Sequence, residues 1–202
     1  MIVSQPNILV VPATLPVKSV NELIALAKSR PISFASGGNG SSPHLTGELF
    51  KLVTGLNITH VPYKSAGPAV VDLLGGHVQM MFVGPLAVEQ QRKGGRVRAL
   101  AVASVRRLTI LPDVPTMAEA GMSGLESGTW YGLLAPARTP QPVIGKIHAA
   151  LVKALQLPDT RARLNAQGVD IIGNSPQQFA VYIKSEMAKW GKVIKDANVR
   201  PE

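Results

Sequence analysis

The chain has 202 residues, 46% of them apolar, and a formal net charge of +9. That length accommodates one domain or two small ones with a real core. Cysteine is absent, which excludes disulfides and thiolate metal sites, and no apolar run approaches the roughly 20 residues of a membrane-spanning helix.

Strand-like and helix-like segments alternate. NILVVP (7–12) reads as a strand. SVNELIALAKS (19–29) reads as a helix: Ser19 and Glu22 have capping-box spacing, and Val20, Leu23, Ile24 and Ala27 share a face. ISFAS (32–36) is a strand. PHLTGELFKLVTG (43–55) is a helix, with Leu45, Leu49, Leu52 and Val53 expected inward and Gly55 closing it. ITHVPY (58–63), VQMMFVG (78–84) and VRALAVAS (97–104) read as strands, with helices GPAVVDLLGG (67–76) and PLAVEQQRKGG (85–95) between them.

A proline-rich loop (106–124) interrupts the rhythm, and GTWYGLLAPA (128–137) reads as a further strand. A helix from Pro140 carries Ile144, Ile147, Leu151 and Leu155. PDTRARLNAQG (158–168) is another helix and VDIIG (169–173) a strand. The last helix begins at Ser175–Pro176 and places Phe179, Ile183, Met187, Trp190 and Ile194 on one face, expected as core. Alternating elements of this kind predict α/β layers around a mostly parallel sheet.

The stretch SGGNGSSPH (36–44) concentrates backbone N–H groups and hydroxyls at a helix start. The first N–H groups of a helix have no intrahelical partner and sit at the positive end of its dipole. Glycines let the backbone approach a ligand closely. The combination favours an anion such as a carboxylate or phosphate. The structural alternative is that Ser42 only caps its own helix while the glycines only turn the chain. YKSAG (63–67) and VGP (83–85) share the design: each follows a strand, contains glycine and opens a helix. If those strands are neighbours, three helix N-termini converge on one cleft, at the strand ends where such sheets bind ligands.

Catalytic constellations are missing. His44, His60, His77 and His148 have no metal-pair spacing, and His60, within a strand, is expected to satisfy a core hydrogen bond. Asp72, Asp113, Glu119 and Glu126 form no evident carboxylate pair. There is no G-x-S-x-G elbow, Walker lysine or dinucleotide fingerprint. The residues therefore predict binding without chemistry, with no metal and no cofactor. Two rivals stay open: a basic module for nucleic acid or an acidic partner, and an α/β enzyme acting on a carboxylate. Against the first, the basic residues are scattered and aromatics make up only 4% of the chain, so a solvated basic surface and no nucleic acid is expected.

FASGGNGSSPHLTGELFK, HVPYKSAGPAVVDLLGGHVQMMF, RALAVASVRRLTILPDVPTMAEAG, WYGLLAPARTP and FAVYIKSEMAKWGKVIKDAN together resemble the Bug family. These are extracytoplasmic solute receptors of the tripartite tricarboxylate transporter type. The resemblance covers nearly the whole chain, in order. It implies a periplasmic-binding-protein-like fold of two α/β domains with a ligand cleft between them. It further implies a small carboxylate ligand (a di- or tricarboxylate, an amino acid or an aromatic acid), membrane transporter subunits as partners, and no enzymatic activity.

By the same resemblance, Gly38, Asn39, Gly40, Ser41, Ser42 and His44 form one cleft loop. Tyr63, Lys64 and Gly67 match a second, with Ser65 where glycine is usual. Val83 stands where a polar residue, commonly aspartate, is found, beside Gly84 in the third loop. Trp130 and Tyr131 fall at the hinge, where Trp130 either nears the cleft or simply packs between domains. The family's signal peptide and N-terminal glycine loop have no counterpart here, and MIVSQPNILVVPATLP lacks the basic start of a signal peptide. The resemblance thus implies a complete second domain (10–125) and a remnant of the first (1–9 and 128–202). A periplasmic location follows from the family, and a cytoplasmic one if the chain starts as given. Weakened binding and self-association through the incomplete part are expected.

Overall fold

The computed structural model describes residues 1–200. Strand β2 (Ile8–Pro12, ILVVP) is buried at every position. A strand apolar on both faces belongs inside a covered sheet, and β2 lies between β5 (Met80–Val83) and β6 (Val97–Val102). Strands β3 (Ser33–Ser36) and β4 (Thr59–Pro62) complete the order β4-β3-β5-β2-β6. β3 runs parallel to β4 and β5, whereas β2 runs antiparallel to both its neighbours. Four strands therefore share one direction and β2 opposes them, so the sheet expected to be mostly parallel is mixed. The cause is connectivity. β2 arrives straight from β1 (Val3–Pro6) in a second sheet, without the helical crossover that parallel pairing needs.

Alternation along the strands divides the core in two. Leu9, Val11, Phe34, Met80 and Phe82 face one way, where helices α1 (Val20–Ser29) and α2 (Ser42–Thr54) add Val20, Leu23 and Phe50. Ile8, Val10, Ala35, Met81 and Val83 face the other, covered by Ala69, Val70 and Leu73 of α3 (Ala66–Leu74). Helix α2 rests directly on a ring: a Cβ at Gly47 would lie 2.2 Å from Phe34 Cε2, so glycine sets the spacing. Leu52 and Val53, expected inward, are 43% and 46% exposed. The buried face of α2 instead includes His44, Thr46, Gly47 and Glu48, polar or small residues that a count of apolar positions passes over. The helix expected over 85–95 is a 3-10 turn (Pro85–Val88) followed by the short α4 (Glu89–Lys93).

The second sheet has the order β7-β1-β8, with β7 (Gly128–Tyr131) and β8 (Asp170–Ile171) both antiparallel to β1. β7 is shorter than the strand expected over 128–137, because its partner strand ends at Val3, opposite Tyr131. Beyond it, Leu133 and Leu134 are exposed. Helices α5 (Gln141–Gln156), α6 (Pro158–Ala166) and α7 (Pro176–Asp196) flank this sheet, and among them only Leu155, Phe179 and Val193 are buried. The face of α7 expected as core is largely open, with Met187 71% exposed. An apolar groove of about 560 Å³ lies between residues 133–137, α5 and α7, lined by Leu134, Ile144, Ile147, Leu151 and Ile183 among others.

Candidate functional site

Because β4, β3 and β5 are adjacent and parallel, their carboxyl ends share one edge of the sheet. The loops after them leave from that edge, as such ligand sites require. The first two loops touch: a Cβ on Gly37 would come within 3.1 Å of Ala66 N, and the Tyr63 N–H donates to Ser36 O at 3.0 Å. The third is covered. Gly84 lies so close to Gln5 of β1 that a Cβ there would meet Gln5 Oε1 at 2.6 Å, and Gln5 Nε2 donates to Gln167 O at 3.2 Å.

The first loop is braced from within. Ser41, not Ser42, is the N-cap of α2, and Pro43 sits in the first turn. The Ser41 hydroxyl donates to Gly38 O at 2.7 Å and accepts the His44 N–H at 3.4 Å. Its hydrogen is thereby spent on the loop. Gly40, at φ 71°, sends its N–H to His44 Nδ1 at 2.9 Å.

Ser42 is held differently. Asn7 Nδ2 donates to Ser42 Oγ at 3.0 Å and to Thr46 Oγ1 at 3.0 Å. Among the described residues Ser42 Oγ donates to nothing, so its hydrogen remains for another acceptor. Asn7 itself is 1% exposed. It occupies the single-residue link between β1 and β2, where its N–H donates to Ser127 O at 3.0 Å and its carbonyl accepts from Ala103 N at 2.8 Å. Ser127 Oγ lies 2.9 Å from Thr46 Oγ1. Sequence reading missed Asn7, Thr46 and Ser127; the only local signal was an amide set between Pro6 and a wholly apolar strand.

Under the loop His44 and His60 stack face to face at 3.8 Å, and the Phe34 ring lies 4.8 Å from His60 and 6.3 Å from His44. His44 Nδ1 accepts from Gly40, so a neutral His44 carries its proton on Nε2, 3.8 Å from Glu48 Oε1. His60 Nε2 lies 2.7 Å from Ser36 Oγ, the core hydrogen bond expected of it. Burial, and then the neighbouring His44, pushes the His60 pKa down to about 4. Burial also lowers the pKa of His44, against an opposing pull from Glu48. His44, expected as a ligand contact, is buried and shapes the loop from below.

The remaining expected residues divide. Asn39, Lys64, Ser65 and Gly67 are exposed at the two loop tips. Gly38 supplies the carbonyl that Ser36 and Ser41 both bond. Tyr63 is turned onto α3, its hydroxyl donating to Asp72 Oδ2 at 2.5 Å; desolvation and that bond raise its pKa to about 12. Val83, expected in the pocket wall, is buried in the second core cluster because strand alternation points it there. Trp130 packs edge-on against Phe179 and Tyr182 of α7 at 5.5 and 5.9 Å, a contact between β7 and the last helix. Among the described residues no group of three or more His, Asp or Glu side chains could hold a metal ion, and no helix is long and apolar enough to cross a membrane.

The model of the family described as "Tripartite tricarboxylate transporter family receptor" matches residues 1–199. The chain belongs to this family. It is a family of receptors, not of enzymes. The chain is 37% identical to Protein BugT of Bordetella pertussis over 202 residues, covering 99% of this chain and 62% of that protein. Among solved structures it is similar to "R. palustris Rpa4515 with adipate" at a TM-score of 0.88 and 35% identity, covering 100% of this chain and 68% of that one. It is similar also to MatC (Rpa3494) from Rhodopseudomonas palustris with bound malate, at a TM-score of 0.80 and 30% identity, covering 95% and 67%. The chain spans about three-fifths of the length of most curated relatives it matches (57% and 62% for two of them). These receptors share the periplasmic-binding-protein-like α/β fold described above.

Proposed function

We propose that the chain binds a small carboxylate at the touching loops 37–44 and 63–67, as the receptor of a tripartite transporter in the periplasm. The observation that carries this is the Ser42 hydroxyl: it sits at the start of α2, and Asn7 leaves its hydrogen available to an acceptor. A carboxylate accepts and cannot donate, so it complements that hydroxyl and the positive end of the helix. Relatives solved with adipate and malate support the ligand class.

In this reading, residues 10–125 form the unit that presents both loops. Residues 1–9 and 128–202 belong to the facing unit, and the chain passes between the two sheets at the β1–β2 link and again just before β7. Membrane transporter subunits are the downstream partners. The exposed apolar residues of the facing unit favour self-association. Isothermal calorimetry with adipate and with malate tests the reading. Binding of either diacid, weakened about tenfold in Ser42→Ala, is the expected result. No binding of either, or equal affinity in the variant, refutes it.

A further inference from the structure

We infer that Asn7, remote from the loop in sequence, is a positioning residue that fixes Ser42 as a one-way hydrogen-bond donor; this rests on the carboxylate reading of the loop. The logic runs through atoms that can act in only one sense. Ser42 O is a carbonyl and can only accept, so Thr46, 2.6 Å away, must give it its single hydroxyl hydrogen. Thr46 therefore has none to give Asn7. The Asn7 atom 3.0 Å from Thr46 Oγ1 must be the donor end of the amide. The same nitrogen lies 3.0 Å from Ser42 Oγ and delivers its second hydrogen there. With that position taken by a donor, the Ser42 hydrogen points elsewhere. The orientation passes from Ser42 O to Thr46, to Asn7, and back to the Ser42 hydroxyl.

The arrangement is closed on its other sides. Asn7 is buried, and both its backbone groups are bonded across the two connecting segments, to Ser127 and Ala103. Ser127 Oγ lies 2.9 Å from Thr46 Oγ1; with the single Thr46 hydrogen spent on Ser42 O, Ser127 has to be the donor of that pair. The amide therefore has no room to exchange its two ends without placing its oxygen against an oxygen that cannot donate. Ser41 marks the contrast: its hydrogen is held by Gly38 O. Of two adjacent serines, one holds the loop and the other is kept ready for an anion.

The test has two arms. A neutron structure of the exchanged wild-type protein is expected to show deuterium on Ser42 Oγ directed away from Asn7, and both deuterons of the Asn7 amide directed at Ser42 and Thr46. Deuterium on Ser42 directed at Asn7 overturns the inference without reference to any ligand. In solution, adipate and its diamide are titrated into wild type, Asn7→Asp, Thr46→Val and Ser42→Ala. A carboxylate at position 7 accepts from Ser42 and reverses it, so Asn7→Asp is expected to weaken adipate about tenfold or more and the diamide, which can donate, no more than about threefold. Thr46→Val, which removes the atom that sets the amide, is expected to move the adipate-to-diamide ratio the same way by a smaller factor. It also serves if Asn7→Asp fails to fold. Equal losses for both probes in these variants, with Ser42→Ala still weakening adipate, reject the role of Asn7 and leave the site intact. No effect of Ser42→Ala rejects the site itself.

Discussion

His44 and His60 lie ring on ring, with centroids 3.8 Å apart and planes 11° from parallel. Both are buried enough to favour the neutral form, and His44 Nδ1 must stay unprotonated to accept from Gly40. The folded pKa of each is below its unfolded value. Unfolded chains therefore bind more protons as pH drops below about 6.5, and folding stability falls with pH. The stability present above pH 6.5 should be lost on acidification toward pH 4, by on the order of 2 kcal/mol for the half-buried His60, with His44 acting in the same direction. Urea unfolding between pH 7.5 and 4 measures it, with His60→Gln as reference. Parallel pH profiles for wild type and variant would show that the stack does not titrate.

Gly47→Ala should destabilise the fold. The helix gains up to about 1 kcal/mol from alanine, but the new methyl meets the Phe34 ring at 2.2 Å. Overpacking of that kind costs about 1–3 kcal/mol. The double variant Gly47→Ala/Phe34→Leu should recover part of the loss, since the two sites share one contact. A Gly47→Ala protein as stable as wild type in thermal melting would show that α2 can lift off the ring without cost.

The two serines should separate cleanly. Ser41→Ala removes the cap of α2 and should lower stability by about 1 kcal/mol. Ser42→Ala strips one hydrogen of the buried Asn7 amide of its acceptor and should also cost about 1 kcal/mol, but unlike Ser41→Ala it should weaken diacid binding. Denaturant curves and calorimetry on the same two proteins decide this; a reversed pattern contradicts the assignment of hydrogens in the loop.

Tyr63→Phe should cost about 1 kcal/mol, the worth of one hydrogen bond to Asp72. Adipate affinity should stay within about twofold, because the hydroxyl is turned onto α3 and away from the loop tips. A large loss of affinity at unchanged stability would instead place Tyr63 on the ligand.

The alternation of elements and the glycine loop were legible because apolar periodicity and capping are local in sequence. Ser19, for example, accepts the Glu22 N–H at 3.1 Å as its spacing predicted. β1 was not legible: VSQP is four residues long and alternates weakly. Nor was the direction of β2, which depends on a one-residue link that no propensity encodes. The loop's supports were hidden for the same reason. Asn7, Thr46 and Ser127 are separated by 39 and 81 positions, and only the folded chain brings one amide, two hydroxyls and a helix start together. His60 makes the hydrogen bond to Ser36 expected of it, whereas the ring of His44, expected at the ligand, lies beneath the loop. As a polar residue three places after a cap it resembles a ligand contact, and nothing local shows that its ring turns under the loop to meet β4.

The position of β2 bears on how the molecule is built. Residues 8–12 precede both their sheet neighbours in the chain but occupy the middle of the five-stranded sheet, and those neighbours begin at Met80 and Val97. Losing this strand would therefore not strip off a rim; it would part β5 from β6 along the seam. Until some 70 further residues have been added, this wholly buried strand has no partner on either side, and its second partner is complete only after about 90. Its assembly is a late, long-range step, and during that interval ILVVP is the segment that a growing chain most needs to keep from pairing with another copy of itself.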